Sequence, residues 1–425
     1  MDSGISLRHL RVFIAVAELG GATKAAESLY RAQSAVTRSI QELENSLGVQ
    51  LFERKANGML PTIFGQTLLF RAKRAAREFE LARQEIAAGG SRKSGQLSGR
   101  FGSLEQLSAS FSVLFNEHRL AAFLALSKLR HMPTVSVSLG ITQPAVSASI
   151  GKLEASLGVM LFTRTPRGMF LTEAGELLLF RAKRALAELR NIKAEIAALS
   201  GTMEGRVTVG VLPLGQMHIL PRAIAKVVVA HPQLKISTIE GNFDPLATQL
   251  RAGDIDFILG ALRPLDDARD LIGEPLLSDK MALFVRGDHP LTRLPRITVA
   301  DLLNAQWVLP SQGTNVRKLF DLSFTQMNVK PPAHVVETDS PAILRDLLLN
   351  SDMVTAVSLQ WFYYERMAGE LRVLDFDLQQ TARMIGITQR QESYLLPGAA
   401  ALIEAIRQVI AGLGPSNTYP HSYKR

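Results

Sequence analysis

Gln33, Ser34, Thr37 and Arg38 fall on one side of a run whose apolar residues, Val36, Ile40, Leu43 and Leu47, recur at helical spacing. Gln33 and Thr37 stand one turn apart, as do Ser34 and Arg38. Short or forked hydrogen-bonding side chains in this arrangement suit the base edges and phosphates of a duplex groove. A weaker version lies further on, where Gln143, Pro144 and Ser147 occupy matching places. There Ala148 replaces Arg38 and Gly151 replaces Gln41. Basic residues follow each run: Arg54 and Lys55 beside an Asn57-Gly58 turn, and Arg164 and Arg167 in the second instance. Thr23, Lys24 and Arg31, just upstream of the first run, complete the candidate DNA-facing set. A three-helix module with a merely solvated face would show the same apolar spacing, so the surroundings must decide.

Charge supplies one such test. Residues 1–200 hold 26 Lys+Arg against 16 Asp+Glu, a net of +10, whereas the rest holds 22 against 23 and nets −1. The whole excess of the +9 chain is therefore at the front, and a polyanionic partner is expected there.

The two polar-faced runs belong to an internal repeat at an offset of 110 residues, holding without a gap from Leu10/Leu120 to Ala88/Ala198. SLGVQLFERKANGMLPTIFGQTLLFRAKRA from Ser46 matches SLGVMLFTRTPRGMFLTEAGELLLFRAKRA from Ser156. Close to half the aligned positions are identical. Phe13 pairs with Phe123, Gln33 with Gln143, Val36 with Val146, and Leu43-Glu44 with Leu153-Glu154. Two copies are too few for a solenoid, so a duplicated domain is expected. The run 89–95, GGSRKSG, reads as a linker between the copies.

In copy one, Leu10, Phe13, Ile14 and Ala17 predict a first helix ended by Gly20-Gly21. A short second helix is expected over 24–29, with Thr23 as its N-cap and Ala25-Ala26 allowing close contact. A turn at 30–32 leads to a third helix over 33–47, closed by Gly48. Residues 51–60 read as two extended pieces around the Asn-Gly turn, a basic β-wing. Three helices and a wing make a winged helix-turn-helix whose third helix is the reader. Copy two keeps the core in Phe123, Val146, Ile150, Leu153 and Leu157, and Val135-Ser136 stand in for Ala25-Ala26. Its weaker face leaves DNA contact and a purely architectural role both open.

These residues resemble the N-terminal domain of LysR-type transcriptional regulators: Ala25-Ala26, Leu29, Gln33 to Arg38, Leu43-Glu44, Leu47-Gly48 and Leu51 to Arg54 in copy one. Copy two resembles it through Gln143 to Ser147, Leu153-Glu154, Leu157-Gly158, Leu161-Phe162, Arg164 and Leu171-Thr172-Glu173-Ala174-Gly175. Two departures stand out. The family pattern has one such domain, and copy one reads Pro61-Thr62-Ile63-Phe64-Gly65 where the pattern is closer to copy two. The resemblance implies that the Ala-, Arg- and Leu-rich helices expected over 65–88 and 175–199 are dimerisation helices. They either pair within one chain or lengthen the arm of a homodimer or tetramer.

From Arg206 the texture changes. Strands are expected over 206–211, 235–240, 255–260 and 353–357, alternating with helices over 220–230 and 246–251, which predicts a parallel sheet with covering helices. Ligands on such sheets sit at strand C-terminal ends and helix N-termini. Four turns qualify: 213–216, 260–263, 311–315 and 355–358. The candidate effector set is Leu214, Gly215, Arg263, Ser311, Thr314 and Ser358. Arg263 suits a ligand carboxylate or hydroxyl, and Ser311, Thr314 and Ser358 offer hydroxyls. Each residue taken singly also reads as a cap or surface turn. This half resembles the family's two-subdomain, periplasmic-binding-like sensor. Residues 260–264, 307–310 and 385–388 resemble its galactose-binding-protein regulator subgroup, which implies a sugar, sugar-acid or aromatic-acid effector.

The expected architecture is therefore α plus α/β. Its parts are a winged helix-turn-helix (5–64), a linker helix (65–88), a linker (89–110), a second winged domain (115–174) and a second linker helix (175–200). The sensor follows over 205–415, with subdomain I at 205–264 and 372–415 and subdomain II at 265–371. Double-stranded DNA and a small-molecule effector are the expected partners, with RNA polymerase a candidate and self-association expected. No cofactor or metal is expected. The chain has no cysteine, and its eight histidines lack metal-ligand spacing; His231 and His289 precede prolines and read as turn residues. No nucleotide-binding glycine loop or serine elbow is present, so an enzyme is not expected. A secreted solute-binding protein would suit the sensor half alone. The N-terminus without a secretory signal pattern and the basic front oppose that and point to the cytoplasm.

Overall fold

The computed structural model describes residues 5–55, 58–89, 116–212, 218–264, 270–391 and 394–413. They divide into two compact units, one holding both repeat copies through Gly205 together with Arg251–Asp254, the other holding the rest.

Copy one starts with α1 (Leu7–Leu19), α2 (Ala22–Ser28) and α3 (Gln33–Leu47). Leu10, Phe13, Val36, Ile40 and Leu43 are buried, so the apolar stripes of α1 and α3 meet as their spacing requires. The second helix begins earlier than the sequence suggests. Ala25 N donates to Gly21 O, which makes Gly21 the N-cap and puts Thr23 inside the first turn. Strands β1 (Phe52–Lys55) and β2 (Gly58–Pro61) form the wing, antiparallel with Lys55 opposite Gly58. Copy two repeats this as α5 (Glu117–Leu129), α6 (Met132–Leu139), α7 (Gln143–Leu157), β3 (Phe162–Thr165) and β4 (Gly168–Leu171).

The wing is tied to each body by the same contacts. Met59 N donates to Gly20 O at 3.0 Å, and Met169 N donates to Arg130 O at 2.8 Å. The preceding Gly58 and Gly168 have φ of +124° and +121°, and a Cβ there would lie 2.3 and 2.6 Å from those same oxygens. Only glycine fits. At the wing's other end Thr62 and Thr172 cap the next helix, accepting from Gly65 N and Gly175 N at 3.1 Å. Copy one's Pro-Thr-Ile-Phe-Gly thus ends its wing as copy two's Leu-Thr-Glu-Ala-Gly does. The fixed points are the threonine hydroxyl and a glycine pressed on the Leu51 or Leu161 carbonyl.

Each copy ends in a long helix. The first, α4, is unbroken over Ile63–Ala87. The second divides into α8 (Glu173–Arg190) and α9 (Ile192–Leu199) at Asn191, whose N–H turns to Leu189 O instead of continuing the ladder. These helices pack on one another inside the chain, and both copies share one continuous core that includes Ala75, Phe79 and Ala82 of the first helix and Ala182, Ala185 and Leu189 of the second. The pairing within one chain is the arrangement present.

The sensor half contains two five-stranded sheets. The first, in the order β6-β5-β7-β14-β8, uses β5 (Gly205–Val211), β6 (Leu234–Glu240), β7 (Phe257–Ala261), β8 (Leu271–Asp279) and β14 (Arg383–Arg390). The second, β11-β10-β12-β9-β13, uses β9 (Met281–Arg286), β10 (Gln306–Leu309), β11 (His334–Glu337), β12 (Met353–Ser358) and β13 (Leu371–Val373). Helices α10 (Ile219–Ala230), α11 (Phe243–Ala252), α12 (Val299–Leu303), α13 (Asn315–Gln326), α14 (Pro341–Asn350), α15 (Tyr363–Ala368) and α16 (Pro397–Ala411) accompany them. The sheets are mixed, a correction to the parallel sheet expected. β5 and β7 run parallel, but β14 runs antiparallel to both β7 and β8, and β9 antiparallel to β12 and β13. The antiparallel members carry the chain between subdomains. The crossings move accordingly, from the expected 264/265 and 371/372 to Asp279–Met281 and to the stretch between Val373 and Arg383. Residues 271–279 bond along β14 and so belong to the first sheet, while 371–373 bond along β9.

Candidate DNA-reading faces and effector site

On α3, Gln33, Ser34, Arg38 and Gln41 are exposed and Thr37 is half-buried, while Val36 and Ile40 anchor the opposite side. The helix therefore holds a polar strip outward on a rigid body, as a groove reader needs. Arg38 Nε donates to Glu42 Oε1 at 2.9 Å, and His9 Nε2 lies 3.0 Å from Glu42 Oε2. The Arg38 side chain is 80% exposed, so its pair with Glu42 is a weak surface one that leaves the guanidinium accessible. Lys24, Thr23 and Lys55 are exposed and Arg31 is half-buried. The Arg54 side chain and the wing tip at 56–57 lie outside the described residues.

One copy-one residue that sequence reasoning missed is Arg11. It lies on α1, half-buried, with Nε buried and without a hydrogen-bond partner. Burial and the neighbouring Arg31 cation hold its pKa below the ordinary arginine value. Among the described residues neither arginine has a carboxylate partner within ion-pair distance. Two like charges brought together without a counter-charge favour an anion between or beside them. Nothing in the linear pattern places Arg11 next to Arg31, twenty residues on; only helix packing does.

Copy two presents Gln143, Pro144, Ser147, Arg164 and Arg167, all exposed. Its cap is better made than copy one's, with Thr142 accepting from Ala145 N, but its face is poorer. Ala121 and Ile141 stand where copy one has Arg11 and Arg31. In both copies the reader is locked to its wing by a glutamate: Glu44 Oε1 accepts from Leu51 N, and Glu154 Oε1 from Leu161 N, each at 2.7 Å.

In the sensor half, two of the four expected turns meet. The Arg263 guanidinium, after β7, lies against the Asn315 side-chain amide at the start of α13, joining one subdomain to the other, and with the amide turned oxygen-inward it donates to that oxygen. Ser358 is buried where β12 ends, and its hydroxyl donates to Asp279 Oδ1 at 2.8 Å and accepts from Gln360 N. Asp279 also receives Arg383 Nε at 3.3 Å. This trio sits at both crossings between subdomains. Burial pushes the Asp279 carboxyl up against the pull of Arg383 and Ser358, while burial and Arg263 lower Arg383 despite its aspartate. Arg383 Nη2 is buried without a partner. Thr314 is committed as the cap of α13, accepting from Arg317 N and donating to Ser311 O. Ser311 offers its backbone N–H to Asp339 Oδ1. Leu214 and Gly215 lie outside the described residues. Asp279, Asn315 and Arg383 escaped the sequence reading because their neighbours are 79, 52 and 104 residues away.

A second cross-subdomain contact lies at His218, stacked on Tyr363 with ring centroids 4.2 Å apart. Burial, helped by Arg222, pushes the imidazole down to about 4. Arg222 in turn lies over the Tyr363 and Tyr364 rings. No group of residues suited to hold a metal ion occurs among the described residues, and no described helix is long and apolar enough to cross a membrane.

Two winged helix-turn-helix domains on packed helices, followed by a two-subdomain sensor fold, define the class of a ligand-responsive regulator. Comparison with known proteins agrees. The bacterial regulatory helix-turn-helix domain of the lysR family matches twice, at 7–66 and 118–176, and the LysR substrate binding domain matches 200–411. The HTH-type transcriptional regulator GalR of Pseudomonas putida is 45% identical over 405 residues, 95% of this chain and 97% of that protein. GbpR of Azospirillum brasilense is 31% identical over 68% of this chain and 84% of its own. A full-length OxyR variant from Pseudomonas aeruginosa shares the fold, with a TM-score of 0.51 and 23% identity over 72% of this chain and 98% of that one. The chain belongs to the LysR family. It is a DNA-binding transcriptional regulator with an effector-binding domain, and not an enzyme.

Proposed function

We propose that copy one reads base edges with Gln33, Ser34, Thr37 and Arg38, while Thr23, Lys24, Arg31, Arg54 and Lys55 neutralise phosphates. Arg11 joins Arg31 as a phosphate-binding pair. Copy two contributes a lighter grip through Gln143, Pro144, Ser147, Arg164 and Arg167. The observation that carries this reading is the outward, lightly committed polar strip of α3 on a body with excess positive charge. Regulation takes place in the cytoplasm, with RNA polymerase as a further partner.

The effector binds between the two subdomains of the sensor and is a small organic acid. Arg263 bridging to Asn315 and the unpartnered Arg383 Nη2 support a carboxylate ligand, which two guanidinium groups favour over a neutral sugar. Ser358 acts through Asp279, and Thr314 shapes the loop at the start of α13. Sugar acids and aromatic acids remain the classes that suit a carboxylate site. Isothermal titration of the full chain with panels of sugar acids, aromatic acids and neutral sugars tests this. An acid that binds wild type and loses at least about tenfold with Arg263→Met supports it; tight binding of a neutral sugar, unaffected by Arg263→Met, contradicts it.

A further inference from the structure

The packing of α4 on α8 and α9 carries a signature that neither copy alone could produce. Arg71 Nε donates to Glu195 Oε2 at 2.9 Å, and Arg181 Nε donates to Glu85 Oε2 at 2.9 Å. Arg74 Nε lies 2.9 Å from Glu188 Oε1, and Arg184 Nε lies 2.8 Å from Glu78 Oε1. Adding the repeat offset of 110 to Arg71, Arg74, Glu78 and Glu85 gives Arg181, Arg184, Glu188 and Glu195. Every pair therefore has a mirror pair in which the copies exchange roles. That reciprocity, residue i to j and j to i, defines a two-fold isologous interface. At the far end Leu7 N donates to Glu117 Oε1 at 2.6 Å, so equivalent helix N-termini also meet.

We infer that one chain of this protein is a complete two-headed DNA reader: it occupies both half-sites of an operator by itself, through a dimer interface closed within the chain. Three observations lead there. The faces that would bind a second chain's linker helix are already buried, with Arg71 and Glu195 at most 6% exposed in the pair and the apolar stripe continuous across it. Both reading helices remain exposed outside that interface. A two-fold protein matches the dyad of a duplex, so heads related by this axis address two half-sites. One chain accordingly covers two half-sites, whatever further assembly the sensor halves make.

The chain has no native cysteine, which allows a direct test on the full-length protein. Arg74→Cys with Glu188→Cys is treated with a short bis-maleimide, and Glu78→Cys with Arg184→Cys serves as the mirror variant in case one pair disturbs folding. The expected product runs as a single chain on a denaturing gel, with or without DNA. Chains are then counted by native mass spectrometry on a duplex selected by the protein from a random pool, and half-sites by hydroxyl-radical footprinting. One chain for every two protected half-sites supports the inference. Cross-linked chain dimers, or one chain for each half-site, overturn it.

Discussion

Copy one and copy two share a core, a wing, an anchoring glutamate and a helix pair, yet they differ where they would touch DNA. Phe13/Phe123, Val36/Val146, Glu44/Glu154 and Gly58/Gly168 are interchangeable by position and by contact. Lys24, Arg31, Arg38 and Arg11 have become Thr134, Ile141, Ala148 and Ala121 in copy two. Packing constrains the first set, and under the proposed reading DNA constrains the second, so a duplicated domain separates the two demands. What both copies kept is the body and the interface. What differs is the proposed reading surface, and copy one has the fuller set of polar and basic residues there.

The largest expected effect lies in the shared interface. Arg71→Ala leaves the buried Glu195 without its cation and Glu188 with Arg74 alone, and breaking a buried pair in this way is worth about 3–5 kcal/mol. Thermal melting of the front unit should show it, with Arg181→Ala, at a 15% exposed site, costing less. Equal small shifts for both would mean that the helix pair does not hold the copies together.

The next effect sharpens the contrast between heads. Arg38→Ala should abolish specific binding to a selected operator, whereas Gln143→Ala should weaken it by no more than about tenfold, the lower end for one base contact. Fluorescence anisotropy at fixed salt would check this, and equal losses would break the ranking of the copies. A finer probe is the salt slope. Arg11→Ala and Arg31→Ala should each reduce it by about one unit without altering sequence preference. An unchanged slope would remove Arg11 from the DNA surface.

In the sensor the corresponding effect is smaller and depends on pH. His218, buried against Tyr363 and near Arg222 and Arg366, has its pKa lowered from 6.5 to about 4. Its folded form therefore binds fewer protons than the unfolded chain between those values. Stability is full above about 6.5 and is lost as pH falls towards 4, by about 2 kcal/mol at pH 5. Urea unfolding of wild type against His218→Phe should show this difference at pH 5 and none at pH 7.5. Identical pH profiles would mean that the imidazole is not held neutral.

Much of this was legible in the residues because it is local or periodic. The reader helix over 33–47 follows from Val36, Ile40 and Leu43 and the stop at Gly48, and the repeat exposed the second head directly. The resemblance of both copies to LysR regulators lies in the residues themselves, from Gln33 to Arg38 and from Gln143 to Ser147. Other features depend on partners far away in the chain. Arg71 finds Glu195 across 124 residues, and no spacing rule links them until the two-fold relation is known. Asp279 and Arg383 look like ordinary strand-end charges, and become a buried trio with Ser358 only because both crossings converge there. Thr23 misled because a threonine before a helix is usually its cap, whereas Gly21 had already taken that place.

The unequal pair of heads is tested most directly by selecting binding sites for the full-length protein from a random duplex pool. The account predicts two half-sites at fixed spacing, one sharply defined and the other loosely. A perfect palindrome with both halves equally strict, or a single half-site with nothing beside it, would contradict it.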